Sequence, residues 1–126
     1  MGETMSYENL KVYKLAYDMA IKTHQLTMKF PKHETYELGS QLRRAAVSIT
    51  LNIVEGYGRK EHQLDFKNFL INALGSCNET TVLVQMAKDL GYISPEECIE
   101  LKNQYAQLGK KRNSFIKAIN NPKSNV

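Results

Sequence analysis

Proline and glycine interrupt this chain at a handful of places, and between them the apolar residues repeat with helical period. No other feature narrows the fold so far. The first stretch, about 8–28, stops at Phe30-Pro31, because a residue preceding proline is pushed out of the helical region. Val12, Ala16, Met19, Ala20, Thr23, Leu26 and Thr27 form its inner face, with Lys11, Asp18, Lys22, Gln25 and Lys29 opposite. The second stretch, about 35–57, ends at Gly56-Tyr57-Gly58. The third, about 61–90, points Phe66, Phe69, Leu70, Ala73, Cys77, Thr80, Val84 and Ala87 inward, and Gly91 stops it. Ser94-Pro95-Glu96-Glu97 opens the fourth, about 95–120: Ser94 caps, Pro95 fits the first position and Glu97 completes a capping box. Cys98, Leu101, Tyr105, Leu108, Phe115, Ile116 and Ile119 face inward there, and the tail after Pro122 is expected to be disordered. Nothing alternates with period two for long, and the connections are short. The expected fold is therefore all-α, a single domain over 1–126 forming an antiparallel up-down four-helix bundle.

The second stretch is unusual. At about 100° per residue, Leu38, Leu42, Ala45, Ile49, Ile53 and Gly56 share one face, while Tyr36, Val47, Leu51 and Val54 gather nearly opposite. On one flank between them runs a polar strip of Gln41, Arg44, Ser48, Asn52, Glu55 and Arg59. A surface helix of a monomeric bundle needs only one apolar face. Two coverings are open for the second: loops or tails of the same chain, or another subunit. Four helices that all border solvent offer little internal cover. The third stretch (Leu64, Ile71, Val82, Met86) and the first (Leu10, Tyr17, Ile21, Met28) carry weaker second faces of their own. The reading adopted is a homo-oligomer, since apolar strips of that extent are normally covered. The polar strip is then either a set of solvated charges or a desolvated network at the contact, where the planar fork of Arg44 pairs with a carboxylate and Asn52 fixes register. Tyr36, Arg44, Val47, Leu51, Asn52, Val54 and Glu55 are the interface candidates.

Composition excludes little. A formal charge of +4 and a pI near 9.0 permit an anionic partner without demanding one. Cys77 and Cys98 belong to no Cys-x-x-Cys pair and lie on apolar stripes, as small buried hydrophobes do. With no long apolar run and no leader pattern, a cytoplasmic protein without a membrane partner is expected. Met1-Gly2-Glu3-Thr4-Met5-Ser6 does match the spacing of a myristoylation signal, with Met5 as an alternative start.

Phe30-Pro31, Gln41-Leu42-Arg43-Arg44-Ala45-Ala46, Ser48-Ile49, Asn52-Ile53 and Glu55-Gly56-Tyr57-Gly58-Arg59 carry a family resemblance. So do Ser6-Tyr7-Glu8-Asn9-Leu10, Phe66, Phe69, Ala73-Leu74-Gly75-Ser76, Glu79 and Leu90-Gly91-Tyr92. Together, over about 6–119, they resemble the 23S rRNA-intervening-sequence proteins, also called four-helix bundle proteins. The resemblance implies antiparallel bundles that assemble as pentameric rings. It also implies kinship with the accessory variability protein of diversity-generating retroelements, which binds nucleic acid and a reverse transcriptase through a basic surface. The family name records a genomic address inside ribosomal-RNA insertions, not a demonstrated ribosomal role.

No residue pattern nominates a catalyst. His24, His33 and His62 stand alone; there is no Glu-x-x-His pair for a di-iron bundle and no His-Glu-x-x-His for zinc. Arg59-Lys60-Glu61-His62 is too short for the Arg-x4–6-His motif of helical toxin ribonucleases, and the glycines of Gly56-Tyr57-Gly58 end a helix more simply than they cradle a phosphate. Gly39 and Gly75-Ser76 sit inside helical stretches, where close helix approach is the expected reason for them. Three basic clusters remain: Arg59-Lys60, Lys110-Lys111-Arg112 and Arg43-Arg44. Each is either a solvated face or a phosphate-binding surface, and Arg43 has the further alternative of serving the fold. In a ring of five copies the charge would reach about +20. The expected function is thus a non-enzymatic oligomeric bundle, without cofactor or metal, that binds RNA or an RNA–protein complex. Arg59, Lys60, Lys110, Lys111, Arg112 and Arg43 are the candidate contacts. The alternative is a scaffold whose basic patches meet an acidic protein.

Overall fold

The computed structural model of the chain describes residues 6–111 and Phe115. A 3-10 turn at Tyr7–Asn9 precedes α1 (Lys11–Thr27), a short α2 (Lys32–Thr35), α3 (Leu38–Gly58), α4 (Gln63–Asp89) and α5 (Pro95–Lys110). The four long helices pack in chain order, α1 on α3, α3 on α4, α4 on α5, and α5 returns to touch α1. Neighbours run antiparallel. Arg43 near the start of α3 bonds Thr27 at the end of α1, and Lys29 just beyond α1 pairs with Glu97 at the start of α5. The expected four-helix bundle is present.

The inner faces follow the apolar periodicity. Leu10, Leu42, Ile49, Val84, Tyr105 and Phe115 lie at the centre with essentially no exposure. Four threonines, Thr23, Thr27, Thr50 and Thr80, are buried beside them. Thr27 and Thr80 turn their hydroxyls onto the preceding turn, and Thr23 shares a hydrogen bond with the Tyr105 hydroxyl. Cys77 and Cys98 are buried free thiols, and burial pushes Cys77 up to about 11, which keeps it protonated and unreactive.

Punctuation works as chemistry dictates. Gly91 takes φ +82, and the Tyr92 and Gly91 amides donate back to the Ala87 and Lys88 carbonyls, the paired bonds of a Schellman stop. Tyr92 then donates to the Glu34 carboxylate at 2.6 Å, tying α2 to the α4–α5 turn. At α5 the full capping box forms: the Glu97 amide donates to Ser94 Oγ at 3.0 Å, and the Ser94 amide donates to Glu97 Oε1 at 2.9 Å. That backbone bond, opposed by partial burial and helped by the Ser94 hydroxyl and Lys29, holds the Glu97 carboxyl below its usual value. Its stabilisation is therefore present above the unfolded-state value and is lost as pH falls through the lowered one. Ser94→Ala is expected to cost about 1 kcal/mol at neutral pH and to leave most of the acid limb in place, because the Ser94 amide still donates to Glu97, as urea unfolding at a series of acid pH values would show.

Two boundaries differ from the expected ones. Ser6 caps a separate turn, so α1 starts at Lys11 instead of near Glu8. Pro31 likewise starts its own short helix, and Glu37 (φ −103, ψ −93) breaks the chain before α3 starts at Leu38. Tyr36 therefore lies outside α3, 74% exposed, and the helical phase that placed it beside Val47 and Leu51 does not reach it. Of the sequence expectations, Arg112, Ile116, Ile119, the tail and most of the Met1–Ser6 signal lie outside the described residues.

Candidate nucleic-acid and assembly surfaces

The up-down order brings the end of α3, the start of α4, the start of α1 and the end of α5 to one end of the bundle. Phe115 marks the place: its ring lies 5.6 Å from that of Phe66, and it borders a cavity of about 20 Å³ together with Val12, Ile53 and Lys111. Four of the six predicted basic contacts fall here. Arg59 and Lys60 form the α3–α4 turn, while Lys110 and Lys111 close α5. Lys11 and Lys14, in the first turn of α1, join them without having been singled out from the sequence. The up-down order itself was the signal that could have found them. The opposite end mixes Glu34, Glu37, Asp89, Glu96 and Glu97 with Lys29, Lys32, Arg43 and Lys88, so its charges largely offset one another.

These cations are not equally free. Arg59 stands 3.5 Å from Asp65, both about half exposed, a pair that weakly offsets its charge. The Lys60 ammonium rests 4.2 Å above the Tyr57 ring, which aims it without neutralising it. Lys11, Lys14, Lys110 and Lys111 make no ion pair among the described residues.

Arg43 stands apart from these four. It sits at the other end of the bundle, half-buried. One guanidinium nitrogen donates to Thr27 Oγ1 at 2.8 Å and another to the Thr35 carbonyl at 2.9 Å. Both bonds are internal, which fits the alternative role in the fold that the sequence leaves open for Arg43. Gly39 explains the closeness: a β-carbon there would meet the Glu34 carbonyl and Arg43 at 3.1 Å and Thr27 at 3.3 Å. Gly75, expected to serve the same purpose, has nothing within 4 Å. The contact in that region comes from Ser76, whose hydroxyl donates to Ser48 Oγ at 3.0 Å across α3 and α4.

The second face of α3 is bare. Val47 and Leu51 are exposed and Val54 half-buried; with Tyr7, Tyr13, Tyr17 and Ile21 they line a groove of about 340 Å³ between α1 and α3. A broader trough of about 530 Å³ continues it past Arg44, Ser48, Asn52 and Glu55. No loop of the described chain covers either. Within the polar strip, Asn52 Nδ2 donates to the Ser48 carbonyl at 2.8 Å and to Ser48 Oγ at 3.1 Å, so this amide is satisfied inside its own helix. Thr50 Oγ1, buried at the edge of the groove, has no hydrogen-bond partner among the described residues.

Among the described residues no group of three or more His, Cys, Asp or Glu is placed to hold a metal ion. Nor, among them, is any helix long and apolar enough to cross a membrane.

The sequence model described as 23S rRNA-intervening sequence protein matches residues 8–114. Among solved structures the chain is similar to a protein of unknown function from the S23 ribosomal protein family of Bacteroides thetaiotaomicron VPI-5482. The TM-score is 0.75 at 25% identity, with 84% of this chain and 95% of that chain covered. No curated protein sequence matches significantly.

Proposed function

Because the chain belongs to the 23S rRNA-intervening sequence protein family and brings five lysines and Arg59 to one end of the bundle, we propose that it is a non-catalytic, self-assembling bundle that binds the phosphate backbone of RNA. The clustering of Lys11, Lys14, Lys60, Lys110 and Lys111 at that end is the observation that carries the reading. Lysines on helix ends recognise charge and spacing and carry no base code. Tyr57 is buried beneath Lys60 and so offers no open ring for a base to stack on. Binding of this kind follows shape and phosphate density.

Assembly strengthens the argument. In a cyclic oligomer every copy presents its basic end at the same height, so the modest charge of one chain becomes a ring of positive potential. In five copies it would be about +20. The bare groove between α1 and α3 supports such assembly, since an apolar surface of this extent is normally covered.

Titration of a fluorescent RNA hairpin across a salt series tests the reading. The logarithm of the affinity should fall linearly with that of salt. Lys60→Gln, Lys110→Gln and Lys111→Gln combined should flatten the slope by about one for each phosphate contact removed. Salt-independent binding, or an unchanged slope in the triple variant, defeats it. Saturable capture of an acidic protein with no RNA affinity would transfer the basic end to the scaffold alternative.

A further inference from the structure

The two flanks of α5 differ in charge. Toward α1 its carboxylates are engaged, Glu100 with Lys22 at 2.7 Å and Glu97 with Lys29 at 3.5 Å. Toward α4 lies a groove of about 300 Å³, lined by Gln85 and Lys88 of α4 and by Pro95, Cys98, Ile99 and Lys102 of α5. Cys98 is buried and forms part of an apolar floor, while Ile99 is 62% exposed beside it. The groove starts where α4 ends and α5 begins, at the end of the bundle away from Lys110 and Lys111.

Among the described residues no carboxylate lines this groove, yet it holds two half-buried lysines. Lys88 has a weak partner outside the lining, the carboxylate of its chain neighbour Asp89 at 3.6 Å. Lys102 makes no ion pair among the described residues. Its ammonium donates instead to the Gln85 side-chain oxygen at 2.7 Å, and the Gln85 amide donates to Asp89 at 3.1 Å. That relay holds the Lys102 cation at the groove with only a neutral acceptor. A cation drawn partly out of water gains most from a carboxylate, the partner missing here.

We infer that the α4–α5 groove docks an acidic segment of another protein, which seats an apolar side chain against Ile99 and Cys98 and presents carboxylates to Lys102 and Lys88. Charge complementarity selects this occupant. A basic segment is repelled by the two lysines, and a phosphate backbone has no apolar side chain to place on the floor. The groove is small for a ligand pocket. It holds one or two side chains, so the contact is a short anchor with modest affinity. The site is separate from the basic end and does not depend on RNA binding there.

A random peptide library displayed on phage, panned on the full chain and counter-selected on Lys102→Glu, tests this. The enriched sequences are expected to place Asp or Glu on both sides of a Leu, Ile or Phe. The leading sequence, made as a fluorescein-labelled peptide, is then titrated by anisotropy. Ile99→Glu and Lys102→Glu should each weaken its binding by roughly 10-fold or more, and Lys102→Arg should hold it within about 3-fold. Circular dichroism checks that each variant is folded. The combined Lys60→Gln, Lys110→Gln and Lys111→Gln variant should bind the peptide as wild type does. Enrichment of neutral or basic sequences, or none that depends on Lys102, overturns the inference. So does loss of peptide binding in the triple variant, which would put the peptide on the basic end. No selected peptide together with a lower molar mass for Ile99→Glu in light scattering also overturns it, and gives the groove to a second copy of this chain. Absence of RNA affinity would remove the reading of the basic end and leave the peptide result standing.

Discussion

Replacing Arg43 with alanine is expected to lower the stability of the bundle by about 3 kcal/mol while leaving RNA affinity unchanged. The guanidinium is half-buried where α1 ends, α2 turns and α3 begins, and it satisfies a side-chain hydroxyl on one element and a main-chain carbonyl on another. Hydrogen bonds from a charged donor contribute about 1.5–3 kcal/mol each, and removing the donor leaves the Thr35 carbonyl without that bond. Thr27 retains its own bond to the His24 carbonyl, which limits the loss. Lysine should not rescue the variant, because one ammonium cannot match the planar fork that serves both partners. Urea unfolding read against the salt dependence of RNA binding separates the two roles. A loss of affinity without loss of stability would return Arg43 to the binding surface.

A larger effect is expected at Tyr105. Its ring is 1% exposed, and its hydroxyl meets Thr23 between α1 and α5. Tyr105→Ala should cost about 4 kcal/mol, because it opens a cavity and leaves the Thr23 hydroxyl buried without its partner. Tyr105→Phe keeps the volume and should cost about 1–2 kcal/mol. Burial raises the phenol to about 12 despite the opposing bond from Thr23. The folded state thus holds this proton above the pH at which the unfolded chain releases it. Stability should decline as pH rises from about 10 through the raised value, and Tyr105→Phe should lessen that decline. Thermal unfolding across alkaline pH reads both. An alkaline limb unchanged in Tyr105→Phe would place the titrating group elsewhere.

Much of this architecture was legible from the residues. Val12, Ala16 and Met19, or Leu42, Ile49 and Ile53, are buried as their spacing requires, and Ser94, Pro95 and Gly91 mark helix ends through local chemistry. The break at Tyr36-Glu37 was not legible, because neither residue is a helix breaker and the backbone there answers to Pro31 and the packing of α2. Arg43 and Arg44 are adjacent in sequence yet point to different sides of one helix. Only the folded neighbours, Thr27 and Thr35, show that one is internal and the other exposed. Lys11 and Lys110 are too far apart for any local pattern to join, and topology alone brings them to one end.

The order of packing also governs how the bundle comes apart. Each helix rests mainly on the next in the chain, whereas α1 and α5 meet only sparsely, through polar links such as Lys22 to Glu100 and Gln104, Lys29 to Glu97, and Tyr105 to Thr23 and the Met19 carbonyl. Contacts within adjacent pairs close shorter loops than the seam between the first and last helices, so they are expected to form before it. That seam is the natural line of opening. In native-state hydrogen exchange, the α5 amides are expected to lose protection together in a partial opening that leaves α3 and α4 intact.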